Sequence, residues 1–212
     1  MKKIGWKRFL FMILGVMLIG FSVTFTRLAC FGTDPFSCMN IGVSNHLPVS
    51  YGTYQLLVNI ILFIPVIILS PRSFGIGAVF NMFGVGYAAD LGMFMFSLIG
   101  IGESTFADLL PIRLLVFVFG LFLLCFGVAL YMECDLGVAP YDMIGQIVEE
   151  RTKGKIKFKW VRVFTDCLCM AIGFISGGTV GLATILISLF TGPVVSFFRQ
   201  HAVKKIIGEN II

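Results

Sequence analysis

Gly32-Thr33-Asp34-Pro35-Phe36-Ser37 and Gly137-Val138-Ala139-Pro140-Tyr141-Asp142 are two copies of one short pattern. Each follows an apolar run and precedes a short stretch of mixed polarity. Pro is tolerated in the first turn of a helix, where its missing N–H would have had no partner, and the preceding Gly permits a sharp bend. Gly32, Pro35, Gly137 and Pro140 are therefore read as backbone breaks leading into short helices, about Phe36–Leu47 and Tyr141–Glu150. In a membrane such a break survives only where it is buried in protein or lines a wet cavity. Whether the short helices are re-entrant or interfacial is left open by the pattern.

The repetition extends outward from these motifs. Gly15-Val16-Met17-Leu18-Ile19-Gly20-Phe21 lies over Gly120-Leu121-Phe122-Leu123-Leu124-Cys125-Phe126. With small length adjustments Gln55 falls near Arg162 and Asn59 near Asp166. Gly75-Ile76-Gly77 meets Gly181-Leu182-Ala183, and Gly86 meets Gly192. The chain reads as a tandem duplication, residues 1–106 against 107–212, within one integral membrane domain.

Of the 212 residues 58% are hydrophobic and only 13% are charged. Soluble domains carry about a quarter charged residues, so this is the composition of a polytopic all-α membrane protein. Two histidines, His46 and His201, provide no Ser–His dyad within the spans and no His metal cluster. The six cysteines have no metal-ligand spacing and read as small apolar packing residues. A phosphate-binding Gly-x-x-x-x-Gly-Lys-Ser/Thr loop is absent as well. The expectation is a protein that is not an enzyme and needs no metal or cofactor. Arg27, where a lipoprotein cleavage box wants an apolar residue, argues for a retained first helix.

Spans are expected at about Phe9–Leu28, Gly52–Ser70, Phe74–Leu98, Pro111–Met132, Trp160–Ser176 and Val180–Phe198, three per half, each near the roughly 20 residues that a bilayer core requires. Lys and Arg accumulate on the cytoplasmic side of membrane proteins. Lys2, Lys3, Lys7, Arg8, Arg72, the basic turn from Arg151 to Lys159, Arg199, Lys204 and Lys205 all fall on one side if the N-terminus is inside. Both termini are thus expected in the cytoplasm, and the net charge of +5 reflects topology and not nucleic-acid binding. Three spans per half make the second copy cross in the opposite direction. Inverted repeats with discontinuous helices are the architecture of many secondary transporters, whose sites lie where the repeats meet.

Charges inside hydrocarbon are costly, so each calls for a partner. Arg162 and Asp166, four apart on one helix face, could pair, and with Gln55 and Asn59 could line a central polar site. Alternatively Arg162 snorkels to the surface and Asp166 merely satisfies it. Asp90 is expected to pair with Arg27 or to meet the first break. Asp34 stands where its carboxylate can cap the first short helix, whereas Ala139 holds that place in the second copy. Thr33, Tyr141 and Asp142 complete the candidate ligand-binding positions. Helix N-termini favour anionic groups. The nearby Asp34, Glu133, Asp135 and Asp142 favour a cation or proton, and the sequence leaves both signs open.

Gly137 through Asp142, and Gly181 through Thr184 running to Thr191-Gly192-Pro193, carry a resemblance to the YczE/YyaS/YitT-type family of bacterial membrane proteins, closest to its YczE-like branch. The resemblance spans nearly the whole chain and implies a multi-pass protein of the bacterial cytoplasmic membrane without a settled biochemical activity. The first copy departs from the pattern: Tyr87 stands opposite Pro193, and Thr33-Asp34 opposite Val138-Ala139. The leading expectation is a small secondary transporter or permease for a small polar or ionic solute, bound between the two breaks. The alternatives are a non-transporting scaffold or regulator, or the substrate-binding subunit of a larger uptake complex. Expected partners are the lipid bilayer, a small-molecule or ion substrate, and a second copy or another membrane protein.

Overall fold

A computed structural model of the chain describes residues 5–69, 75–103, 105–106 and 109–203. Lys2, Lys3, Arg72, Asp108, Lys204 and Lys205 lie outside the described residues. Among the described residues eight α-helices follow one another: α1 Trp6–Ala29, α2 Pro35–Ser44, α3 Tyr51–Leu69, α4 Ile76–Leu98, α5 Leu110–Glu133, α6 Pro140–Arg151, α7 Phe158–Ile175 and α8 Leu182–Phe198. A π-helical turn, Arg199–Val203, continues α8, and its Arg199 pairs with Glu133 at 3.0 Å. Among the described residues there is no strand. The helices α1, α3, α4 and α5 are long and apolar enough to cross a membrane. By contrast α7 carries Lys159, Arg162 and Asp166 and α8 has only 17 residues, so composition alone does not mark either as a span.

Both breaks follow the same backbone path. The helix before each ends near a left-handed residue, Cys30 at φ 54° and Asp135 at φ 50°, and a glycine two positions on turns the chain again, Gly32 at φ 109° and Gly137 at φ 112°. These angles are strained for any residue with a Cβ, which is why glycine occupies both turns. Pro35 and Pro140 then open α2 and α6 as first helical residues, one position earlier than the sequence suggests. The first short helix stops at Ser44, before Leu47, in a run of turns through Asn45 and His46. The orphan carbonyls at the end of α1 are met from outside the helix. Arg113 donates from Nε to the Ala29 carbonyl (2.8 Å) and from Nη2 to the Cys30 carbonyl (3.0 Å), with its guanidinium 4.5 Å from the Phe31 ring centroid.

In the bundle α1 is the central helix. It runs antiparallel to α5, with Gly15 facing Gly127 and Tyr131 while Gly120 faces Phe25 and Thr26. It runs parallel to α4, with Gly84 against Val16 and Gly92 against Thr24. Lipid tails are as apolar as leucine, so helices associate there through close packing, and small residues at the crossings permit it. A cluster of Met12, Val16, Ile19, Val85, Leu124, Leu130 and Ile187 fills the space between α1, α4, α5 and α8. Large apolar side chains such as Ile61, Ile68, Leu115 and Phe164 point outward instead, the arrangement of a protein solvated by hydrocarbon.

Each break packs on the start of a distant helix. Gly75, the N-cap of α4, lies so close to Leu136 that an added Cβ would overlap its carbonyl oxygen, and the Gly77 amide donates to that carbonyl at 2.7 Å. Gly181, the N-cap of α8, lies equally close to the Phe31 carbonyl. A side chain at either glycine must push a break away from a helix end, and overpacking of this kind costs about 1–3 kcal/mol. Gly75→Ala and Gly181→Ala should each lower the thermal unfolding temperature of the detergent-purified protein. Gly102→Ala, where a Cβ would meet nothing within 4 Å, should leave it unchanged.

Candidate functional site

The two short helices meet N-terminus to N-terminus. Phe36 in the first turn of α2 and Tyr141 in the first turn of α6 lie with ring centroids 4.7 Å apart. From that junction the helices lead to opposite ends of the bundle. The far end of α2 sits at the C-terminus of α7, where His46 Nε2 is 3.0 Å from the Ser176 carbonyl. The far end of α6 sits at the C-terminus of α3, where Arg151 donates to the Leu69 carbonyl at 3.2 Å. Ten residues of α2 and twelve of α6, at a rise of about 1.5 Å per residue, span roughly half a membrane each.

A charged cluster sits against the junction. Asp166, in the middle of α7 and 5% exposed, accepts a 2.6 Å hydrogen bond at Oδ1 from the Tyr141 hydroxyl. Arg162 pairs with Asp166 at 3.3 Å, as the four-residue spacing predicts, and also pairs with Asp142 of α6. Its guanidinium carbon stands 4.8 Å from the centroid of the Tyr141 ring. The Arg162 side chain is 39% exposed and is held by two carboxylates and an aromatic face. Of the two sequence readings, the geometry bears only on the Arg162–Asp166 pair, which is formed.

Asp34 closes the cluster from the other short helix. Its Oδ1 accepts from the Ser37 amide at 3.0 Å, the expected cap, and Arg162 and Asp166 lie within electrostatic range of it. Ala139 offers α6 no side-chain cap. Thr33 is fully buried, with its hydroxyl 3.4 Å from the Asp34 carbonyl oxygen. Tyr51, at the start of α3, donates its hydroxyl to Ser37 Oγ at 3.1 Å.

Gln55 and Asn59 are buried on α3 as the sequence suggests, but among the described residues no hydrogen bond joins either to Arg162 or Asp166. Gln55 lies against Gly86, and its Oε1 has no hydrogen-bond partner. The expected Arg27–Asp90 pair is not formed, and no hydrogen bond joins Asp90 to the first break. Arg27 reaches Glu103 in the loop after α4, at 2.7 Å, because the end of α1 lies beside that loop. Asp90 Oδ2 instead accepts the Gly52 amide at 2.9 Å, one of the first-turn N–H groups of α3 that lack an acceptor in their own helix.

Several participants carried no sequence signal. Phe36 reads as an ordinary apolar residue and Ser37 as a polar residue one turn past a cap. Asn40, fully buried on α2, has neither end of its amide hydrogen-bonded. Unpaired buried amides are rare, and among the described residues the Asn40 amide and the Gln55 oxygen are two polar groups left without a hydrogen bond. A better signal lay in the spacing of Ser37, Asn40 and Ser44, which puts three polar residues on adjoining positions of one short helix. Among the described residues, no three His, Cys, Asp or Glu side chains are grouped to hold a metal ion.

Comparison with known proteins follows the same lines. The chain is similar to the uncharacterised protein YyaS of Bacillus subtilis, 24% identical over 197 residues that cover 93% of this chain and 94% of that one. It is equally similar to YczE of the same organism, described as an uncharacterised membrane protein, 24% identical over 199 residues covering 93% and 87%. An uncharacterised protein of Haemophilus influenzae is 36% identical over 86 residues, 41% of this chain and 38% of that one. No solved structure matches. The family DUF6198, described as a family of unknown function, matches residues 6–200, and the chain, an all-helical multi-pass membrane protein, belongs to it.

Proposed function

We propose that this protein is a small secondary transporter whose solute binds where α2 and α6 meet. The observation that carries the reading is the meeting of two broken helices, N-terminus to N-terminus, beside the Asp166–Arg162–Asp142 cluster, of which Asp166 is buried. In this reading α7 and α8 also cross the membrane, giving six spans as two inverted three-helix repeats, 1–106 and 107–212. The antiparallel α1 and α5, the matching angles of the two breaks and the reciprocal packing of Gly75 and Gly181 support it. Lys7, Arg8, Arg151, Lys153, Lys155, Lys157 and Arg199 gather at one end of the bundle, which favours that end, and both termini, in the cytoplasm. No residue set here suits chemistry, and the protein is read as a carrier and not an enzyme.

The cluster also favours one sign of solute. Asp142 and Asp166 pair with a single guanidinium, Arg162, and Asp34 lies within electrostatic range of it, so carboxylates outnumber the one cation. A small cation, exchanged against protons through Asp166, fits this balance better than an anion does.

Two measurements test the proposal. In a cysteine-depleted background, Asp142→Cys, at a half-exposed position, should react with an aqueous maleimide from the basic end, while the fully buried Thr33→Cys stays silent. An imposed ion gradient should make Thr33→Cys reactive from the opposite end. Constant labelling of Asp142→Cys from one side, with Thr33→Cys silent under every gradient, would describe a sealed scaffold and sink the transporter reading. Ligand binding raises stability by mass action, so small alkali and quaternary ammonium cations should raise the unfolding temperature of the purified protein while sulfate and acetate do not. Asp166→Asn should abolish the cation effect. Asp166→Ala, which also takes away the acceptor of the Tyr141 hydroxyl, should in addition cost about 1.5–3 kcal/mol. Stabilisation by the anions alone would reverse the sign assigned to the site.

A further inference from the structure

We propose that the loop joining α6 to α7 is a docking surface for the anionic headgroups of phospholipids. Arg151, Lys153, Lys155 and Lys157 are all exposed there, and the three lysines form no ion pair among the described residues. The neighbouring carboxylate of Glu149 is turned inward, where its Oε2 accepts the Phe158 amide at 3.1 Å. Glu150, exposed beside Arg151, offsets one of these charges, and the remaining positive charge of the loop is left to an outside partner.

The loop is built and not slack. The Gly154 amide donates to the Glu149 carbonyl at 2.9 Å and the Lys153 amide to the Glu150 carbonyl at 3.1 Å, closing the end of α6. Thr152 Oγ1 donates back to the Val148 carbonyl at 2.8 Å and accepts the Ile156 amide at 3.2 Å, tying both arms of the turn together. The Phe158 ring packs where a Cβ on Gly145 would stand. A loop fixed in this way loses little freedom on binding, so its charges act together.

Position and chemistry choose a lipid over an acidic protein or a nucleic acid. Ile156 and Trp160 are exposed next to the lysines, Trp160 by 63%, and the apolar outer face of α7, Val163 and Phe164, continues directly from them. Cations beside an exposed indole and an exposed aliphatic chain, above a hydrocarbon-facing stripe, belong at the depth of headgroup phosphates. The fold of the turn does not require the charge. The loop between α2 and α3, Asn45–Ser50, joins an equivalent pair of helices without a single Lys or Arg.

The chain has two tryptophans, so Trp6→Phe leaves Trp160 as the only indole, beside the loop. That protein is reconstituted in phosphatidylcholine vesicles containing a minor fraction of either brominated phosphatidylglycerol or brominated phosphatidylcholine, and Trp160 fluorescence is followed. Each basic side chain near a surface strengthens anionic lipid binding several-fold, so quenching should report an enrichment of phosphatidylglycerol on the order of ten-fold or more. The Lys153→Gln, Lys155→Gln, Lys157→Gln protein should be quenched equally by the two lipids, and the corresponding Lys→Arg protein should keep the preference. Equal quenching in the Trp6→Phe protein, or a preference that survives the three Gln substitutions, would overturn the proposal. So would a preference abolished by inorganic phosphate but not by sodium chloride of equal ionic strength, which would mark a site for free phosphate.

Discussion

A peptide carbonyl exposed in hydrocarbon has no water to turn to, and this chain exposes several by breaking its helices twice. The hydrogen bond from the Gly77 amide to the Leu136 carbonyl shows how the cost is met. A break has carbonyls without donors, and a helix N-terminus has amides without acceptors. Setting one against the other satisfies both without a side chain. The same geometric demand puts glycine at position 75 against Leu136 and at position 181 against Phe31, since no Cβ fits between a helix start and a loop carbonyl at that distance. The second break is thus completed by the start of α4, and without Leu136 the Gly77 amide would lose this acceptor.

The two short helices are alike in backbone and unlike in packing. Against α7, α2 presents Cys38 and Gly42 to Gly173 and Gly178, so close that backbone meets backbone. Against α3, α6 presents Met143 and Ile147 to Val66, with Phe63 and Ile144 filling in. Contacts between backbones have almost no slack, whereas methionine and isoleucine side chains can repack over several rotamers. The difference lies in the residues themselves and so is a property of the sequence. Of the two breaks the second is the more exposed: Thr33 is fully buried while Val138 and Ala139 are only partly covered.

Much of this was readable before any coordinates. Long apolar runs gave α1, α3, α4 and α5 to within a few residues, because hydrocarbon length is a strong constraint on a sequence. Gly-x-x-Pro located both breaks, since left-handed backbone followed by a proline leaves few alternatives. The Arg162–Asp166 pair followed from helical spacing alone. What failed was pairing across helices. Arg27 and Asp90 looked like natural partners by depth, yet Glu103 and the Gly52 amide were nearer, and depth carries no information about rotation about a helix axis. The contact between Phe36 and Tyr141 was illegible for a related reason: each residue belongs to its own break, and nothing in either motif states that the two breaks converge. The span expected at Trp160–Ser176 is not marked by composition, because Lys159, Arg162 and Asp166 lower the apolar character of α7.

The charge balance at the junction can be taken one step further. Counted as formal charges, Asp34, Asp142 and Asp166 against Arg162 sum to −2. Two helix N-termini converge on the same place, and each contributes the equivalent of about +0.5 charge. About one negative charge then remains to be neutralised in surroundings where leaving it bare is costly. The Asp34 carboxylate already spends one oxygen on capping α2, and Asp166 spends one on Tyr141. A single proton or a single monovalent cation restores neutrality, and neither an anion nor a divalent ion does. Binding one at the expense of the other is the exchange that the proposed carrier would use, and Ala139, which stands where the first break has Asp34, adds no further carboxylate to this balance.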